Sequence, residues 1–517
     1  MPEPPNVLLI TTDQMRADHM GCSGNPVVRT PNLDRLAAGG VLLERAYVSN
    51  PVCMPNRSTL ATGRLPRNHG CWSNGINLPA HERTLADVLA ERGYHTALLG
   101  KAHFNTFGRG EGVAPEDAGM ESRDAWNAGA VTPEWTGPYY GFQHVELCIG
   151  HGVDNMRLGH LGQWVREHHP RAAAGVDRRT PAANGASQCY TAAVPTEAHS
   201  SSWLGTIGSA YLRRLAADAR PFFLWVSFPD PHHPFCPPAP YDGMYAREEV
   251  VPPAFGPEAL ADRPPYFRRA REGGEWWEGI GPKDLLSEMT EPQLREIIAR
   301  TYGMVTLIDE NIGRLLDALD ATGLAERTVV VFTSDHGDLM GDCGMLFKGP
   351  FLLEGLIRVP MIWRLPAARG AGGGARSAAL MSSCDIAPTV LELVGMDVPR
   401  AMDGAGQAGV LLKALGDSSG AEAGGRAPAG RDAAFVEFKS MYHTELNLRT
   451  IVTADRKLTY YPGLPYGELY DMTAAAPEAR NLHDDPAYAA DLAALRRRLL
   501  DEAVLGHDER LWPTCHA

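Results

Sequence analysis

Several short stretches of this 517-residue chain gather side chains able to do chemistry on an anion. Cys53 stands in Asn50-Pro51-Val52-Cys53-Met54-Pro55-Asn56-Arg57, with Arg57 one helical turn after the sulfur. Asp13 and Gln14 end one apolar run, and Ser334-Asp335-His336-Gly337-Asp338 follows another. Two strand ends thus each present adjacent oxygen or nitrogen donors able to converge on one cation. Lys101 and His103 follow a third run, Phe228-Pro229-Asp230-Pro231-His232-His233-Pro234-Phe235 follows a fourth, and Lys348 stands in Leu346-Phe347-Lys348-Gly349-Pro350. Lysines and histidines around a cation supply charge and protons for transfer of a tetrahedral anion. Singly, each has a plainer reading: a buried free cysteine at a turn, aspartates capping helices, surface histidines in a proline-rich loop.

Placing these residues together requires a sheet. Asn6 to Thr12 is a short β-branched run ending in polar residues, the pattern of a buried parallel strand opening into a site. Similar runs at Tyr94 to Leu99, Phe222 to Phe228, Thr328 to Thr333 and Val359 to Arg364, with helical patterns between, predict an α/β fold. Its large, mixed, mostly parallel sheet is sandwiched by helices. Ligands bind beyond the carboxyl ends of such strands, where the residues above stand. Thr290 to Leu319 carries helical spacing behind a Thr290 and Gln293 capping box and reads as a core helix. Ala367 to Ala375 and Gly416 to Asp432 read as flexible surface loops. A catalytic domain over 1–415 and a smaller C-terminal α+β subdomain over 416–517 follow. In the latter, Leu448 to Thr453 and Lys457 to Tyr461 are antiparallel strands and Tyr488 to Val504 a helix.

Apolar residues at 44% and charged residues at 21% are those of a globular protein with a sizeable core. The net charge of −14 argues against nucleic acid as a partner and leaves anion capture to local groups and a metal. Nine scattered cysteines without paired zinc spacing, and an N-terminus without a basic region or long apolar run, predict a cytoplasmic protein with no membrane partner.

Cys53-x-Pro55-x-Arg57, followed by Thr62-Gly63-Arg64, resembles the formylglycine signature of type I sulfatases in the alkaline phosphatase superfamily. In that family a maturase oxidises the cysteine to an aldehyde whose hydrate attacks sulfur with one hydroxyl and ejects sulfate with the other. Gly93 to His103 resembles the second sulfatase signature, so Lys101 would neutralise the diol and sulfate oxygens and His103 would take the diol proton. The resemblance places His232 near the leaving-group oxygen, with His233 as fallback, and makes Lys348 the last basic residue. It assigns Asp13, Gln14, Asp335, His336 and the formylglycine at Cys53 to a divalent cation. Asn74 falls where related hydrolases put a substrate-contacting asparagine, and Asn56 departs from the small residue that many members carry.

Many sulfatases have Asp and Asn where this chain has Gln14 and His336. Phosphonate monoester hydrolases and choline-sulfatase-like enzymes share the version seen here, and the nitrogen ligand shifts the choice from Ca²⁺ toward Mn²⁺, with both open. The leading expectation is sulfate-ester hydrolysis of the arylsulfatase kind on a small molecule, promiscuous toward phosphoesters. Phosphonate monoester or phosphodiester hydrolysis is the alternative, and a silent metal-binding homologue with unconverted Cys53 the third. A homo-oligomer is compatible with the sequence. The loops Thr106 to Ala210 and Pro237 to Ser287 set the organic part of the substrate, and Trp126, Trp135, Trp164, Trp276 and Trp277 are candidates to line its pocket.

Overall fold

The computed structural model describes residues 3–282, 284, 286–366, 374–416 and 430–506. Its centre is β1 (Asn6–Thr12), seven residues all buried, as a strand covered on both faces must be. Around it runs an eight-stranded sheet made with β2 (Val41–Tyr47), β3 (His95–Gly100), β4 (His144–Leu147), β7 (Phe222–Ser227), β8 (Thr328–Ser334), β9 (Met361–Arg364) and β10 (Ala375–Ser382). The order is β10-β2-β9-β8-β1-β7-β3-β4, and β5 (Arg179–Pro181) and β6 (Tyr190–Ala192) form a separate ribbon. Only β9 runs antiparallel to its neighbours β2 and β8, so the other seven strands point their carboxyl ends the same way.

The long helix Glu291–Ala321 packs on the helix Ser200–Leu215 and feeds β8, and Thr290 N–H donates to Gln293 Oε1 at 2.9 Å to close its first turn. Beyond residue 415, β11 (Ala433–Lys439), β12 (Asn447–Thr453), β13 (Arg456–Tyr460) and β14 (Glu468–Asp471) make a four-stranded antiparallel sheet. One face of it continues the main core through Val436, Phe438 and Leu448, and the other packs Ile451, Leu458 and Leu469 on Leu495 and Leu499 of the helix Ala489–Leu505. Ala375 opens β10 rather than closing a loop, and most of the two low-complexity stretches, 367–373 and 417–429, lies outside the described residues.

Candidate active site

Cys53 begins a ten-residue helix, Cys53–Thr62, in which every residue is buried. Local chemistry fixes its entry: Asn50 Oδ1 accepts from Val52 N–H, and Asn74 Oδ1 accepts from Met54 N–H at 3.1 Å, satisfying a first-turn donor. Gly63, at φ 65°, stops the helix with a left-handed cap that a side chain would strain. Asn56 ties the helix down. Its Nδ2 donates to the Asp335 carbonyl at 2.6 Å, while its Oδ1 accepts from Ser49 N–H and Ser383 Oγ. The departure from a small residue at this position is therefore a structural cross-link between the helix, β8 and the segment after β10.

At the helix start, Cys53 Sγ lies 3.2 Å from His336 Nε2, 2.9 Å from Lys348 Nζ and 3.8 Å from Asp13 Oδ1. Burial and Asp13 push the thiol up, but Lys101, Lys348 and His336 together hold it below its ordinary value. One ligand atom each from Asp13, Cys53, Asp335 and His336 lies within 4.8 Å of the others. The sulfur here stands where the oxygens of a formylglycine would be.

The donor set fits a cation in detail. His336 Nδ1–H donates to the Gly337 carbonyl at 2.8 Å, which leaves the Nε2 lone pair facing the cluster. Gln14 uses its amide nitrogen twice, toward Asp338 Oδ2 at 2.6 Å and His233 Nδ1 at 3.0 Å, while its buried Oε1 has no hydrogen-bond partner. Its backbone sits at φ 67°, held by Gln14 N–H donating to Asp335 Oδ1 at 3.1 Å. Such an orphaned oxygen costs free energy unless something electropositive meets it. Although burial opposes a charge on His336, Asp335 and the sulfur hold the imidazole above its ordinary value, as expected where anions favour a cation.

Around this cluster stand the basic residues. Arg57, wholly buried, donates through Nε to Asp335 Oδ2 at 2.7 Å, lies 3.5 Å from Asp13 Oδ2, and donates through Nη1 to the Lys101 carbonyl and Ser227 Oγ. It orients the two carboxylates more directly than it touches the sulfur. Lys101 Nζ pairs with Asp13 and lies 2.6 Å from His151 Nε2; Lys348 Nζ lies 2.9 Å from His232 Nε2. Burial raises the Asp13 carboxyl, yet Lys101, Arg57 and Lys348 hold it well below the usual carboxylate range. The rings of His151 and His232 stack at 3.8 Å, and His232 stacks on His233 at 4.1 Å. Burial first, and then neighbouring basic groups (His232 and Lys101 for His151, Lys348 for His232 and His233), hold all three imidazoles well below their ordinary value.

The sequence-predicted residues Asp13, Gln14, Cys53, Arg57, Lys101, Asp335, His336, His232 and Lys348 thus meet at one end of the sheet. Of the adjacent histidines, His232 meets Lys348 and His233 orients Gln14. His103 stands one layer out, stacked at 4.0 Å on Phe107, with a buried Nδ1 that has no partner. Asn74 caps the Cys53 helix through its oxygen. The tryptophans mostly pack: Trp277 is in the core, Trp126 bonds the Met120 carbonyl, Trp135 meets Tyr139, Trp164 meets His168, and Trp276 is exposed. Sequence reasoning missed His151, four residues past β4, and Glu121, whose buried carboxylate accepts from the N–H groups of His103, Phe104 and Asn105 and from Tyr139 Oη. Neither carries a readable signal in the sequence: His151 sits in a loop between Gly150 and Gly152 after a strand of four residues, and nothing marks Glu121.

The sulfatase family pattern matches residues 5–396, and the C-terminal pattern of N-sulphoglucosamine sulphohydrolase matches 341–504. Arylsulfatase of Clostridium perfringens is 28% identical, the match covering 96% of this chain and 94% of that one. Human arylsulfatase A is 30% identical over 79% of this chain and 68% of its own. Among solved structures, phosphonate monoester hydrolase of Agrobacterium radiobacter superposes with a TM-score of 0.78 at 29% identity, covering 98% of this chain and 97% of that one. The chain belongs to the sulfatase family of the alkaline phosphatase superfamily, a family of ester hydrolases.

Proposed function

We propose that the chain hydrolyses sulfate esters through a formylglycine made from Cys53 by a maturase, beside one divalent cation, Ca²⁺ or Mn²⁺. The observation that carries this reading is Cys53 itself, wholly buried between Lys348 Nζ at 2.9 Å and the donors of Asp13, Asp335 and His336. Formylglycine would supply a geminal diol, and a cation held by Asp13, Gln14, Asp335 and His336 would supply Lewis acidity. Arg57 holds the carboxylates of that set in place. Lys101 and Lys348 offset charge on the transferred oxygens from two sides. Neutral His232, its Nε2 facing the Lys348 ammonium, shares a proton with it and delivers it to the leaving oxygen. His103, with an unengaged Nδ1, would take the diol proton. Two buried ammoniums suit the double charge of departing sulfate.

Phosphonate monoester or phosphodiester hydrolysis is the second reading, supported by Gln14, His336 and the similarity to the Agrobacterium enzyme. Rates on an aryl sulfate, an aryl phosphonate and a phosphodiester, each with Mn²⁺ and with Ca²⁺, separate the two. Much faster turnover of the phosphonate would reverse the ranking. The Cys53 peptide is expected about 18 Da lighter than its unmodified form in protein from the native host. Finding only the cysteine would return the chain to the silent, metal-binding reading.

A further inference from the structure

The catalytic centre is open on a restricted side. Asp13, Lys101, Arg57 and Asp335 are fully covered, whereas the side chain of His151, whose ring nitrogen lies within 4.8 Å of Cys53 Sγ, is 23% exposed. Half-buried Phe107 stands next to it, at 5.7 Å between rings, and carries His103 stacked on it. One route for the organic part of a bound ester thus runs past His151 and Phe107, beside those at partly exposed His233 and Asn74. Over Phe107 sits the guanidinium of Arg123, with Cζ 5.9 Å from the ring centroid, while Lys101 Nζ lies 5.8 Å from the same centroid.

Arg123 is placed by the fold. Its backbone N–H donates to the Phe107 carbonyl at 2.9 Å, and its Nη2 hangs over Gly150, where a Cβ would lie 2.8 Å away. Gly150 itself has φ 100°, so the backbone that sets His151 beside the guanidinium is one that side chains avoid. The exposed guanidinium has no carboxylate within ion-pair distance among the described residues. Of the acids nearest in sequence, Glu121 is committed to backbone N–H groups and Asp124 to Arg109 at 3.8 Å, while Glu116 and Asp117 are exposed on a turn packed against the Arg123 helix, without an ion pair to Arg123. In a chain of net charge −14, a cation without an ion-pair partner among the described residues at the mouth of an anion-handling site runs against the overall field.

We infer that Arg123 recognises a second anionic group on the substrate, a carboxylate or a second sulfate, carried about one ring away from the scissile ester, with Phe107 and His151 lining the face of that ring. The substrate class is then an anion-bearing aryl or sugar sulfate rather than a neutral one. The guanidinium offers a planar pair of N–H donors, the geometry that carboxylate and sulfate oxygens accept. This rests on the sulfatase reading for the ester but not for the second anion.

The test compares phenyl sulfate, 4-carboxyphenyl sulfate and 1,4-phenylene disulfate with the mature enzyme and its Arg123→Ala, Arg123→Lys and Arg123→Glu variants. Wild type is expected to favour the doubly anionic substrates. The kcat/KM ratio of each to phenyl sulfate should fall about ten-fold or more in Arg123→Ala, carried by KM, less in Arg123→Lys and further in Arg123→Glu. A fall for only one of the two identifies the anion as carboxylate or sulfate. A wild-type ratio near one, or ratios that the variants leave unchanged, would overturn the inference. If wild type hydrolyses no sulfate, the reading of the centre fails, and the same ratio taken with phenyl and 4-carboxyphenyl phosphonate monoesters still decides the role of Arg123.

Discussion

Lys348 and Gln14 make different demands on the same few ångströms. Lys348→Ala removes the ammonium 2.9 Å from the nucleophile position and the partner of His232. We expect kcat/KM for an aryl sulfate to fall on the order of a hundredfold or more, read in steady-state kinetics. Gln14→Leu deletes the orphaned Oε1 while keeping the residue's bulk, and is expected to weaken Mn²⁺ binding about ten- to a hundredfold in a metal titration, whether or not Cys53 is converted. Undiminished affinity would remove Gln14 from the ligand set. Most of these residues were legible because their chemistry is written contiguously: a cysteine with proline and arginine at fixed offsets, or two donors side by side after an apolar run. His151 was not, because a histidine in a glycine-rich loop has no periodicity. Only the pairing with Lys101 and the stacking on His232 give it meaning, and both cross long stretches of chain.

Elements were readable in proportion to their hydrophobic contrast. β1, β7 and β8 have unbroken apolar centres of four or five residues, and their bounds agree with the sequence reading within a residue or so, as do those of the long helix with its capping box within about two. β4 has four residues, β2 carries Glu44 and Arg45 in its second half, and β10 begins Ala-Arg-Ser-Ala, so none offers the hydrophobic contrast that marks a strand. The antiparallel setting of β9 was hidden too, since direction depends on the connection and not on composition. What the Cys53 helix requires is a tie rather than a stripe. Asn56→Ala would remove three buried hydrogen bonds and leave the Asp335 carbonyl short of its partner, while Ser49 N–H keeps Ser383 Oγ at 2.8 Å, for a cost of about 1–3 kcal/mol. A melting temperature lowered by about 1–3 °C, with metal affinity weakened alongside, is the expected result. Loss of neither would mean that the cross-link is dispensable.

Across the whole molecule, buried neutral imidazoles set the response to acid. Burial holds His69 at about 3 and His19 at about 4 against the 6.5 of an unfolded chain. Unfolding therefore takes up protons below pH 6.5, so the stability these two groups allow is complete above that value and is lost as the pH falls toward 4 and then 3. Each contributes up to about 1.4 kcal/mol per pH unit in that window. His69→Gln keeps an acceptor for Cys71 N–H and a donor for Thr59 Oγ1, so it should flatten the decline of melting temperature between pH 6.5 and 4. A slope equal to wild type would assign acid sensitivity elsewhere. The complete burial of Cys53 has one more consequence, in the timing of synthesis. On the formylglycine reading, no maturase could grip a side chain buried in a helix whose ten residues, Cys53 among them, are all covered, so the proposed oxidation would have to happen while the chain is still open. Modification and folding would then compete as rates, and the active fraction from any host would be the outcome of that race: slower chain closure, or more maturase per ribosome, would yield more working enzyme from the same amount of protein.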